Sequence, residues 1–164
     1  MAKRHVLALC VVALLLAASV GIASGSANLT GNLEAYRVVV NDEGVEKFLP
    51  ADNARPKDVI EYRLIYTNTG DQPIQQILIT DPVPIGTQLL NPSARHPEAA
   101  RVEYSIDGGK SFQPWPILVK KTTENGEEKL VEATPDMVTH IRWTLTKAIQ
   151  PEGGITLTYR TVIK

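Results

Sequence analysis

The chain has 164 residues, with 17 lysines and arginines against 18 aspartates and glutamates and a formal net charge of −1. Such a balance lacks the basic footprint that nucleic acid binding requires. A single cysteine, Cys10, excludes an internal disulfide framework.

Lys3, Arg4 and His5 give a basic start, residues 6–20 carry no charge, and residues 21–27 are small and weakly polar. That order defines a secretory signal peptide. Its apolar stretch falls short of the roughly 20 residues that span a bilayer as a helix. Cleavage after Ala23 or after Ala27 satisfies the small-residue rule, and an uncleaved anchor is the competing reading. Cys10 is not a lipid-attachment cysteine, because Leu9 precedes it and only four apolar residues lead up to it. Assigning residues 1–27 to the signal leaves 28–164 as a single domain. Loss of Lys3 and Arg4 leaves 15 basic against 18 acidic side chains, a net charge of −3. The remaining cations are scattered, Lys120-Lys121 being the densest pair. Export permits disulfides, yet the mature chain has no cysteine, so its core alone must hold it. No second apolar run of membrane length follows, and no stable membrane insertion is expected after signal removal.

Along the mature chain the dominant period is two, the period of strands. Weak alternation covers 36–40. In 60–66 the even positions are apolar, and Glu61 and Arg63 face away. Weaker alternation returns over 77–79 and 102–106. In 139–145 the odd positions Ile141, Trp143 and Leu145 are apolar, and residues 155–160 alternate as cleanly. Turn signals fall between these runs: Asn68-Thr69-Gly70-Asp71-Gln72-Pro73, Asp107-Gly108-Gly109 and Pro151-Glu152-Gly153-Gly154. Asn125-Gly126, between 119–122 and 128–131, is the strongest hairpin signal. Asn68 and Gly70 are read as suiting a turn of positive φ. Asp81 is read as capping its own turn, with Pro82 and Pro84 ending the strand. No stretch beyond the signal has a helical period. The pattern predicts an all-β fold, an antiparallel β-sandwich of about seven or eight strands, with a barrel as the alternative. Tyr62, Leu64, Ile141, Trp143, Leu157 and Tyr159 are its predicted core.

The strand 58–67 ending Thr67-Asn68-Thr69-Gly70, the second strand ending Thr80-Asp81, and the turn Pro84-Ile85-Gly86 form a motif pair. With Ile141-Arg142-Trp143 and Gly154-Ile155-Thr156-Leu157-Thr158-Tyr159, they resemble a conserved-repeat domain of unknown function found in bacterial and archaeal cell-envelope and surface proteins. The resemblance covers roughly 58–162. It implies an immunoglobulin-like sandwich in a surface or periplasmic protein with a structural or adhesive part. The family commonly occurs as tandem copies, whereas here there is one. Residues 112–136 are also longer than the pattern requires, which leaves room for a specialised surface.

Motifs that carry chemistry are few. Gly109-Lys110-Ser111 imitates the end of a phosphate-binding loop, but Tyr104 stands where the earlier glycine belongs and no helix follows. The stretch 105–112 resembles instead the Asp-box of sialidases and other propellers, which is a turn device. His96 and His140 are too few and too far apart for a zinc site. Ser93 and His96 lack an orienting third group and an oxyanion hole. Asp42-Glu43, Asp52 and Asp81 lie in loops that could converge on calcium. Asn28-Leu29-Thr30 matches a glycosylation acceptor by chance beside the cleavage site. No catalytic, cofactor-binding or metal residue is therefore expected.

Trp115 is the candidate contact residue. Pro114 and Pro116 flank it and bar a central strand, so the segment is read as an extended one presenting a stiff aromatic. The alternative has Trp115 folding back as a lid over one open end of the sandwich. These readings predict a non-enzymatic module, periplasmic or secreted, that engages an envelope protein partner. A small-ligand or carbohydrate-binding module is the first alternative, and a hydrolase with an unrecognised site the second.

Overall fold

A computed structural model describes residues 26–90 and 99–164. Residues 1–25, which include Cys10 and most of the expected signal, lie outside the described residues, as do Ser93 and His96. Ten strands stand among the described residues: β1 (Leu29–Val40), β2 (Glu46–Pro50), β3 (Val59–Asn68), β4 (Leu78–Pro82), β5 (Thr87–Leu89), β6 (Ala100–Ser105), β7 (Leu118–Thr122), β8 (Glu128–Glu132), β9 (His140–Leu145) and β10 (Gly154–Ile163). They form a five-stranded sheet in the order β2-β1-β3-β10-β5, a three-stranded sheet β4-β9-β6, and a separate β7-β8 pair. Every pairing is antiparallel. Helical structure among the described residues is confined to 3-10 turns at Ala51–Asn53 and Pro135–Met137. The all-β antiparallel class matches the period-two pattern. Ten strands rather than seven or eight appear because β2 and the three-residue β5 carry no alternation to mark them.

The two larger sheets meet where alternation is cleanest. Leu64 on β3, Leu157 and Tyr159 on β10, and Ile141, Trp143 and Leu145 on β9 are buried in one cluster. Trp143 is 1% exposed, and its ring centroid lies 6.1 Å from that of Tyr159. Tyr62 stacks on Tyr159 at 4.9 Å but is only half-buried. On the opposite face of the large sheet, the buried Glu61 bonds Arg63 at 2.7 Å and Arg160 at 2.8 Å. Arg160 continues to Glu46 of β2 through two contacts of 2.7 Å. The Arg63 guanidinium lies over the rings of Tyr36 and Phe48, at 4.6 and 4.4 Å. This polar and cation–π layer fastens the short β2, whose own side chains are all exposed.

Two readings of turn residues are corrected. Neither Asn68 nor Gly70 has a positive φ. The Asn68 side chain is fully buried, donates to the carbonyls of Gln72 (2.7 Å) and Ile149 (3.0 Å), and accepts from the Gly70 N–H (3.0 Å). Glycine at 70 is needed for close approach: a Cβ there would meet the backbone of Ser26 and Asn28. Asp81 does not cap a turn. It sits in β4 opposite Ile141 and accepts the Tyr159 hydroxyl at 2.6 Å.

The expected hairpin at Asn125-Gly126 is formed. Thr123 and Glu127 close it, with Gly126 at φ +82° in the left-handed region. The Asp-box-like turn is formed as well. Asp107 accepts from the Ser105 and Ser111 hydroxyls at 2.7 and 2.6 Å and from the Lys110 and Ser111 N–H groups at 3.0 Å. Those hydrogen bonds, from Ser111 above all, hold the Asp107 carboxyl well below the usual range.

Burial sets an alkaline limit on this fold. It pushes the Tyr104 phenol up to about 12 and raises Tyr159, Tyr62 and Tyr66 above their ordinary value of 10.0. The folded chain thus keeps protons that the unfolded chain releases above pH 10. The stability that these phenols contribute is complete below pH about 10 and is lost as pH rises toward about 12. Thermal melts across that window should show a steadily falling Tm; a flat profile would place these tyrosines in water.

Candidate interaction surface

The three-stranded sheet covers only part of the five-stranded one. Tyr159 of β10 touches Trp143 of β9 and Asp81 of β4, which sets the small sheet over β10 and its neighbours. Beyond Leu29, which packs against the core at one end of β1, nothing comparable lies over β1 and β2 among the described residues. Cross-strand register makes the contrast direct: Leu33 of β1 stands opposite Leu64 of β3 on the same face. Leu64 is 5% exposed and Leu33 is 55% exposed. Farther along that face Ala35, Val39 and, on β2, Leu49 are exposed too. Tyr66 lies over Gly31, where a Cβ would come within 2.8 Å of its ring, so the half-buried phenols of Tyr66 and Tyr62 form the boundary of the covered region. Arg37, 3.7 Å from Asp58, and the exposed Lys47 stand at the Ala35 end of this apolar strip.

The wall beside the strip is β4, an outer strand of its sheet. Leu145 N–H donates to the Ile77 carbonyl and Val83 N–H to the Thr139 carbonyl. Antiparallel bonding alternates, so Ile79 and Asp81 also bond β9. Asp81 of β4 accepts the Tyr159 hydroxyl and acts on Tyr62 and Tyr66 of β3, so Leu78 and Thr80 point their N–H and C=O groups away from β9 toward the side of β1. The result is an L-shaped groove with an apolar floor and a wall of backbone donors and acceptors. Sequence reasoning missed it because no single strand encodes which neighbour covers it.

The other side of the two-layer body is closed by the long segment after β6. Ile117 and Ala133 are buried there, and Ala133 N–H donates to the Ile117 carbonyl at 2.8 Å. Trp115 belongs to this closure. Its ring is half-buried against the core and meets Tyr104 edge-on at 6.0 Å and 80°, and the Trp115–Pro116 peptide is cis. Trp115→Ala should accordingly destabilise by about 1–3 kcal/mol, read in a denaturant titration. An unchanged midpoint would mean that the ring seals nothing.

The remaining candidates stay apart. Among the described residues no three His, Cys, Asp or Glu side chains gather to hold a metal ion, so Asp42, Glu43, Asp52 and Asp81 do not converge. His140 lies on the outer face of β9, beside Gly109 and 3.1 Å from the Thr139 hydroxyl. No helix among the described residues is long and apolar enough to cross a membrane. No protein-family model, curated protein or solved structure matches the chain.

Proposed function

We propose that this chain is an exported, non-enzymatic β-sandwich module of immunoglobulin-like type that works in the cell envelope, periplasmic or secreted, by binding a protein partner. The observation that carries this reading is the uncovered apolar face of β1 and β2. Exposed leucines contiguous on a sheet face are what an interaction surface presents, and here they adjoin a rigid layer. Export rests on the basic, apolar and small-residue order of residues 3–27. The envelope setting rests on the resemblance carried by Thr67-Asn68-Thr69-Gly70 and Thr80-Asp81.

Two measurements test it. N-terminal sequencing of the protein from the envelope should find a chain beginning at Ser24 or Asn28; a chain retaining residues 1–20 would contradict export by cleavage. A photo-crosslinking side chain placed at Leu33 in living cells should join the protein to an envelope protein. The same group at Thr156, on the opposite face of the large sheet, should not. Equal labelling at both positions would remove the open face from the account.

A further inference from the structure

We infer that the open face takes up one extended, strand-forming segment of a partner protein, which pairs with the free edge of β4 and lays alternate apolar side chains on Leu33, Ala35 and Tyr66. This deepens the reading of β1 and β2 as the working surface and rests on it. Three observations fix the occupant. First, the wall is backbone: Leu78 and Thr80 offer two N–H and two C=O groups to solvent, and Pro82 ends the row with a carbonyl alone. A strand satisfies such a row, whereas a helix cannot. About five residues of partner match it at ~3.3 Å per residue.

Second, the floor extends under the gap. The small sheet has three strands over a large sheet of five, and because Leu89 of β5 lies with Val102 and Tyr104 of β6, the strands left bare, β1 and β2, lie on the β4 side. A second copy joining β4 to β4 around a two-fold axis would bring its own large sheet beneath its β4, into the space that β1 already fills. A folded sheet edge is therefore excluded by overlap, and a lone segment is not. The first half of β1 also has a free backbone edge, at Leu29, Gly31, Leu33 and Ala35, because β2 pairs only with residues 36–40. A strand added there would have no second layer to bury its side chains against, so the β4 edge is the stronger site.

Third, charge sets one end of the segment. Lys47 has no carboxylate partner among the described residues, and Arg37 beside it holds Asp58 only at 3.7 Å. A segment ending in an acidic residue at that end gains a charge-assisted contact. The inferred partner is thus a chain with apolar residues at every second position over about five residues, followed by a carboxylate.

The test uses the exported protein and a fluorescein-labelled heptapeptide of alternating valine and threonine with a terminal glutamate. Anisotropy should report saturable binding. Binding should weaken about tenfold or more when two central residues of the peptide become proline, and likewise in the protein variant Leu33→Lys, whose site is already exposed. With peptide bound, amide exchange at Leu78 and Thr80 should slow about tenfold or more. Slowing at Gly31 and Leu33 instead, absence of slowing at Leu78 and Thr80, or equal binding of the proline peptide overturns the inference. A dimer in sedimentation that Leu33→Lys dissociates also overturns it, in favour of a second copy. If the photo-crosslinker at Leu33 joins an envelope protein while Leu78 and Thr80 stay unprotected by the peptide, strand addition fails and the open face stands. If Leu33 and Thr156 crosslink equally, the face itself fails.

Discussion

Trp143→Ala should lower the unfolding free energy by about 3–5 kcal/mol, the cost of a large cavity in a close-packed core. That is a large share of the ~5–15 kcal/mol that holds a typical domain. Trp143 is 1% exposed, pairs with Ile79 and Val102 on its two neighbours, and carries the contact to Tyr159 between the sheets. Residues 26–164 contain no cysteine whose disulfide could offset such a loss. A denaturant titration reads the effect directly. A midpoint within experimental error of the parent would shift the register of β9 by one residue.

Asn68→Ala should be nearly as damaging, by about 2–4 kcal/mol, and by a different mechanism. Removing the amide leaves the Gln72 carbonyl without its donor, takes one of two donors from the Ile149 carbonyl, which keeps the Ile74 N–H, and deprives the Gly70 N–H of its acceptor. Each buried polar group left without a partner costs about 1–3 kcal/mol. Because Ile149 lies 81 residues away in sequence, Asn68 ties the end of β3 to the approach to β10. Asn68→Asp separates the terms: it keeps the acceptor for Gly70, loses the two donated bonds and sets a carboxylate against two carbonyls. It should be at least as unstable as Asn68→Ala. An aspartate variant as stable as the parent would show that the donated bonds contribute little.

Much of the fold is legible in the sequence, and the reasons are local. Residues 60–66, 139–145 and 155–160 alternate because one face of each is buried, and that burial is what period two records. The first half of β1 shows no such signal. Its Gly31, Leu33 and Ala35 face the uncovered side, so selection for burial has left no trace there. The same absence hid β2, whose five residues are all exposed. Asn68 read as a turn residue because asparagine suits turns. Its buried role depends on Gln72 and on a carbonyl far along the chain, which spacing does not reveal. Asp81 misled for the same reason, its partner Tyr159 being 78 residues on. Trp115 was legible as unusual from its flanking prolines, but its side of the molecule was not. The groove is set by how many strands each sheet receives, and that is a property of topology rather than of any motif.

With Cys10 the single cysteine of the sequence, one clean measurement tests whether the face of β1 is open. Leu33 and Leu64 are cross-strand neighbours on one face, the first open to solvent and the second beneath the small sheet. Leu33→Cys and Leu64→Cys, each the single thiol in a Cys10→Ser background, would be reacted with a thiol reagent under native conditions. Leu33→Cys should label at about the rate of an unstructured thiol. Leu64→Cys should label slower by about a thousandfold or more, since it reacts only through opening of the core. Protection at both positions would mean that β1 is already covered and that no open face exists.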